Sequence, residues 1–102
     1  MRYATFYYDL LQDRVSDLKV HEDKETALKY FNAHCRNYFQ LNTQWKADKL
    51  PAVYGYPMRT YYGVSARTFK KMFDVSIDEA VEIAQSSKQS LEKAVRKIQD
   101  RK

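Results

Sequence analysis

Side chains that favour β-structure dominate the start of the chain. The stretch RYATFYYDL, residues 2–10, is rich in Tyr, Phe and Thr, which fit a pleated, half-buried surface. The segment VSDLKVH, residues 15–21, alternates with the two-residue period of a strand, more weakly than the first. Polar residues near positions 11–14 can turn the chain between them. We therefore predict a β-hairpin within residues 1–22.

An amphipathic helix is predicted next, over residues 24–41. Apolar side chains recur there at helical spacing, at Leu28, Phe31, Cys35, Tyr38 and Phe39. Asp23 stands just before the segment, and its carboxylate can accept hydrogen bonds from the first unpaired amides. We expect Asp23 to be the N-cap and the apolar stripe to lie on the hairpin.

A second helix is predicted at the end of the chain, over residues 77–101. This segment contains neither Gly nor Pro, and Ser76 and Glu79 have the spacing of a capping box. Acidic residues stand near its start and basic residues near its end, which suits the helix dipole. The pattern predicts one long helix of roughly 37 Å at about 1.5 Å per residue.

That predicted helix carries an apolar seam with alternating spacings of three and four. Its central members are Val81, Ala84, Leu91, Val95 and Ile98, and Lys88 occupies the missing position. One interpretation is that the seam packs along the chain's own domain. The other is that it forms a homodimer through residues 77–101 or docks a partner helix.

The positive charge is concentrated in one part of the chain. The net charge is +5, and residues 51–75 hold four of the cations, Arg59, Arg67, Lys70 and Lys71, against the single acid Asp74. Such a local excess attracts an anionic partner, either a nucleic acid or an acidic protein face.

Two interpretations of the surrounding stretch remain open. Within residues 57–73, Gly63-Val64-Ser65 followed by Thr68-Phe69 resembles the turn and second helix of a helix–turn–helix motif. The resemblance implies a first helix over residues 57–62 and a second helix in the major groove of DNA. The residues it would turn toward DNA are Ala66, Arg67, Lys70 and Lys71.

The other interpretation makes residues 52–64 one or two strands that extend the N-terminal sheet, followed by a short basic helix over residues 66–73. Arg59 and Tyr61 would then lie on the sheet, where Tyr and Arg can stack against bases. In both interpretations Ser65 caps the helix that carries Arg67, Lys70 and Lys71.

Catalytic and metal-binding patterns are weak. His21, His34 and Cys35 lack the paired spacing of a metal site, and Glu22-Asp23-Lys24 matches a nuclease motif only loosely. We therefore predict no catalytic residue, no metal and no cofactor. The single cysteine and the lack of a long apolar run suggest a cytoplasmic protein without a membrane partner.

These patterns predict a single α+β domain over residues 1–102, with a small antiparallel sheet of two to four strands packed against a helix and a long C-terminal helix. The expected function is a non-enzymatic regulator or accessory protein that binds nucleic acid, with DNA as the expected form. The alternative is a protein-interaction or inhibitor module of a phage or mobile element. It would dock on a host protein or nucleoprotein complex through a tyrosine-rich surface and the C-terminal helix.

Overall fold

Four strands and four helices make up the fold in the computed structural model, which describes residues 1–9, 12–35, 42–49 and 59–101. In chain order they are β1 (Tyr3–Asp9), β2 (Arg14–His21), α1 (Lys24–Cys35), β3 (Asn42–Ala47), β4 (Arg59–Ser65), α2 (Ala66–Phe73), α3 (Ile77–Ser87) and α4 (Leu91–Asp100). The predicted α+β class is confirmed. In the described part of the chain, no helix has both the length and the apolar character needed to cross a membrane.

The strands form one sheet in the order β2-β1-β4-β3. The predicted hairpin is present as the antiparallel pair β1–β2, and β4 pairs antiparallel with the other edge of β1. β3 runs parallel to β4, so the sheet is mixed rather than wholly antiparallel. The side-chain pattern of a short strand does not distinguish a parallel from an antiparallel neighbour, so the sequence did not indicate this direction.

The sheet is covered on both faces because the side chains of β1 alternate between two apolar layers. Tyr7 belongs to the layer under α1, where it packs with Phe31 and Tyr61. Ala4 and Phe6 belong to the opposite layer, which the three C-terminal helices cover. The larger core therefore lies between the sheet and helices α2 to α4.

Helix α1 begins where the sequence predicts. The Asp23 carboxylate accepts a hydrogen bond of 2.7 Å from the amide of Thr26, and its carbonyl accepts one of 3.2 Å from the amide of Ala27. The described helix extends to Cys35, whereas the prediction extended to residue 41. Residues 36–41 lie outside the described residues.

Residues 59–65 form a strand, which decides between the two interpretations of this stretch. β4 pairs with β1 on one side and with β3 on the other, and Thr60, Tyr61 and Tyr62 have the side chains that favour such a position. The first helix of the helix–turn–helix alternative is therefore wrong for these residues. Residues 52–58 lie outside the described residues.

The predicted single C-terminal helix is also wrong, because the chain reverses after Ser87. Lys88 adopts a left-handed conformation with φ of 53°, and Ser90 caps a new helix by accepting a hydrogen bond from the amide of Lys93. Arg101 then lies 2.9 Å from Glu79, which places the end of α4 beside the start of α3. The two helices form an antiparallel hairpin that covers the sheet from one side.

This reversal explains the apolar seam and favours the first interpretation, in which the seam packs along the chain's own domain, over a homodimer or a partner helix. Val95 and Ile98 are buried in the chain's own core, and Val81, Ala84 and Leu91 pack against that core. The apolar residues at spacings of three and four therefore pack α3 and α4 against each other and against the sheet of the same chain.

Candidate nucleic-acid interface

Helix α2 presents the basic residues, and its position is fixed by a cap and a buried side. The Ser65 hydroxyl accepts a hydrogen bond of 3.2 Å from the amide of Thr68, as predicted for the N-cap. Thr68 and Phe69 are buried against the sheet. Phe69 contacts the ring of Phe6 edge-on, with ring centroids 5.3 Å apart. This anchoring leaves the opposite side of α2 in solvent.

The exposed side of α2 carries Arg67, Lys70 and Lys71. Residues spaced by three and four lie next to one another on a helix surface, so the three charges share one face. Among the described residues, no carboxylate forms an ion pair with any of them. The charge excess that the sequence indicated is thus exposed, and no described acid neutralises it through an ion pair.

These cations line a groove between α2 and the start of α3, with a volume of about 440 Å³. We name it the α2 groove; its described lining is Ala66, Arg67, Lys70, Lys71, Ser76, Ile77 and Asp78. The Ser76 hydroxyl accepts a hydrogen bond of 3.4 Å from the amide of Glu79, which is one half of the predicted capping box. The Glu79 carboxylate binds Arg101 instead.

The acidic residue in this lining, Asp78, is held by an ion pair. The guanidinium of Arg2 lies 2.9 Å from Asp78 and 3.3 Å from Glu22. The pKa of Arg2 is raised, chiefly by the hydrogen bond to Glu22 and also by the charges of both carboxylates. The main-chain carbonyl of Arg2 accepts a hydrogen bond of 2.9 Å from the amide of Ala66. Arg2 therefore sits beside the start of α2 and offsets the charge of Asp78.

Only some of the predicted contact residues lie together in the α2 groove. Ala66 is half-buried and lines the groove with the three cations of α2. Arg59 is the first residue of β4, six residues before the cap of α2, or roughly 20 Å along a strand. Its backbone is therefore remote from the first turn of α2.

Tyr61 is a core residue, which corrects its expected role in partner contact. Its side chain is 1% exposed and lies under α1, with its ring stacked on Phe31 and His34 at centroid distances of 5.2 and 4.8 Å. Tyr62, on the other face of β4, is equally buried. The tyrosine-rich surface of the alternative hypothesis is thus largely interior where the structure describes it.

The residues considered for catalysis have structural partners. His21 lies 3.0 Å from the hydroxyl of Thr5, and His34 lies 3.3 Å from the carboxylate of Asp17. Asp23 caps α1. No cluster of three or more His, Cys, Asp or Glu side chains suited to a metal ion occurs within the described ranges.

Sequence reasoning missed Arg2, because its contact with Asp78 joins residues that are 76 positions apart. A single arginine near the start of a chain has no periodic signal that would connect it to the groove. Comparisons with known proteins give no further indication of the site. No protein-family model, curated protein or solved structure matches the chain.

Proposed function

We propose that this protein is a non-enzymatic regulator or accessory protein that binds duplex DNA through the α2 groove. Arg67, Lys70 and Lys71 meet the phosphate backbone, and Arg67 is also suited to a guanine edge because its guanidinium can donate two parallel hydrogen bonds. The observation that carries the proposal is the exposed cationic face of α2, whose three charges form no ion pair with an acid in the described ranges.

Two features of the surroundings support an anionic ligand at this face. The carboxylate of Asp78 is paired with Arg2, so the groove keeps a positive excess despite the acid in its lining. The buried side of α2 is anchored by Thr68 and Phe69, so the cations stand on a helix whose orientation is fixed. Cations on a fixed element lose less conformational freedom on binding than cations on a mobile loop.

The test is the salt-dependent affinity for a labelled mixed-sequence duplex, measured by fluorescence anisotropy. The double substitution Arg67→Glu with Lys70→Glu is expected to abolish binding, because it replaces two phosphate contacts with two repulsive charges. Both side chains are exposed, so the thermal unfolding midpoint is expected to change little.

The matched control is Lys24→Glu with Lys29→Glu, which makes the same change in net charge on α1. That helix covers the opposite face of the sheet, so its variant is expected to keep most of the affinity. Equal losses in both variants would show that only net charge matters, and a wild-type protein that fails to bind duplex at low salt would refute the proposal. An acidic polypeptide that competes better than DNA would point to a protein partner.

A further inference from the structure

A second groove, with three cations and two acids in its lining, lies between the outer edge of β2 and the start of α4. Its volume is about 380 Å³, and we name it the α4 groove. The lining consists of Arg14, Val15, Ser16, Asp17, Ser90, Glu92, Lys93 and Arg96. Arg14, Lys93 and Arg96 are exposed, and none of the three takes part in an ion pair in the described part of the chain.

The carboxylates of this groove, in contrast, are engaged by the fold. Asp17 lies 3.3 Å from His34, and Glu92 accepts a hydrogen bond of 2.7 Å from the amide of Leu18. Asp13, next to Arg14, accepts a hydrogen bond from the hydroxyl of Tyr8. The acids therefore have partners within the protein although they keep their charge, while Arg14, Lys93 and Arg96 are exposed to solvent.

Helix α2 connects the two regions. Its residues from Ala66 to Lys71 border the α2 groove, and Phe73, its last residue, lines a narrow crevice together with Arg14 and Arg96. Ala66 and Phe73 are seven residues apart, which is roughly 10 Å along the helix axis at about 1.5 Å per residue. Duplex DNA carries one phosphate charge per about 1.7 Å of its axis, so one bound duplex has phosphates at this separation.

We infer that Arg14, Lys93 and Arg96 form a second phosphate-contacting site for the same DNA. The inference rests on the proposed function, and it extends the bound surface from one helix to the α4 groove. The ligand is the phosphodiester backbone rather than the bases, because the site offers exposed cations on two different elements and no exposed aromatic ring in its lining among the described residues.

The experiment compares three neutralised pairs by the slope of log affinity against log salt concentration. They are Arg67→Gln with Lys70→Gln in the α2 groove, Arg14→Gln with Arg96→Gln in the α4 groove, and Lys24→Gln with Lys29→Gln on α1 as the control. Each of the first two pairs is expected to reduce the steepness of the slope by about 2 and the affinity by about tenfold or more at ~0.1 M salt. The control pair is expected to leave the slope nearly unchanged.

The outcomes separate the two proposals. A wild-type slope for Arg14→Gln with Arg96→Gln, alongside a reduced slope for the α2 pair, would overturn the second site and leave the proposed function intact. A reduced slope for the α4 pair alone would support the second site and refute the α2 groove as the contact. No binding by the wild type would overturn both. Matching thermal unfolding midpoints establish that the variants are folded.

Discussion

At the scale of single residues, Gly63 shows how tightly the layer under α1 is packed. A Cβ atom at this position would lie 2.3 Å from Cε3 and 2.6 Å from Cζ3 of the Trp45 ring, and 3.0 Å from Cδ2 of Phe31. The indole of Trp45 is itself stacked on Tyr3, with ring centroids 6.0 Å apart. Glycine is therefore needed here for space, since its φ is not positive.

Gly63→Ala is expected to lower the free energy of unfolding by about 1–3 kcal/mol, because the added methyl forces the indole out of its stacked position. Urea denaturation measures the change. In a Trp45→Leu background the same substitution is expected to cost less than about 1 kcal/mol, since the ring that it strikes is gone. An equal cost in both backgrounds would show that the indole is not the obstacle.

Residue-scale features differ in how well the sequence predicts them. The caps at Asp23, Ser65 and Ser76 are formed as predicted, because a cap depends on groups within about four residues. The burial of Tyr61 was missed because it depends on which strands flank β4 and which helix covers them. Helix caps can therefore be predicted from a few neighbouring residues, whereas the burial of a side chain depends on distant parts of the chain.

At the scale of elements, the break between α3 and α4 is the clearest departure from the sequence pattern. Lys88 ends α3 in the left-handed region, with its amide donating to the carbonyl of Ala84. In the left-handed conformation the Cβ of a lysine is sterically unfavourable, and glycine has no Cβ. The sequence offered a weak signal for this break, since Lys88 interrupts the seam and Ser90 can cap a new helix.

Lys88→Gly is expected to raise the free energy of unfolding by about 0.5–1 kcal/mol, because the positive φ of 53° carries little penalty for glycine. The matched control is Lys93→Gly, an exposed position inside α4, where glycine is expected to cost about 1 kcal/mol. Thermal or urea unfolding measures both. A destabilising Lys88→Gly would contradict a chain reversal at this residue.

At the scale of the whole molecule, the order of the strands and the pairing of charged side chains depend on contacts between distant parts of the chain. The α+β class followed from the strand and helix patterns, whereas the mixed sheet and its order did not. The pairing of Arg2 with Asp78 and of Leu18 with Glu92 joins residues that are more than 70 positions apart. Such contacts depend on the assembled fold, so the sequence predicts the cations of α2 but not the grooves that hold them.

The stability of the whole molecule is expected to depend on pH through His21. Burial lowers the pKa of this imidazole, although the charge of Asp23 opposes the shift. The unfolded state has the ordinary pKa of about 6.5 and so binds more protons than the folded state just below that value. The free energy of unfolding is therefore expected to fall as the pH drops below about 6.5, until the folded-state pKa is also passed.

Urea denaturation between about pH 8 and pH 5 measures this dependence. His21→Gln is expected to flatten the part of the curve just below neutral pH, whatever its effect on absolute stability. His34→Gln serves as the comparison and is expected to retain the contribution of His21. A curve that stays unchanged in His21→Gln would assign the pH dependence to other groups.

The central position of β1 has a consequence for the order in which the protein is made. The β1–β2 hairpin can close once residue 21 has left the ribosome, but the second edge of β1 pairs only with residues 59–65. Through the intervening stretch of translation, the nascent chain exposes a Tyr- and Phe-rich strand edge, the kind of surface that chaperones bind and that aggregates nucleate on. Slowing elongation after residue 21 should therefore lower the soluble yield, whereas slowing it after β4 has emerged should not.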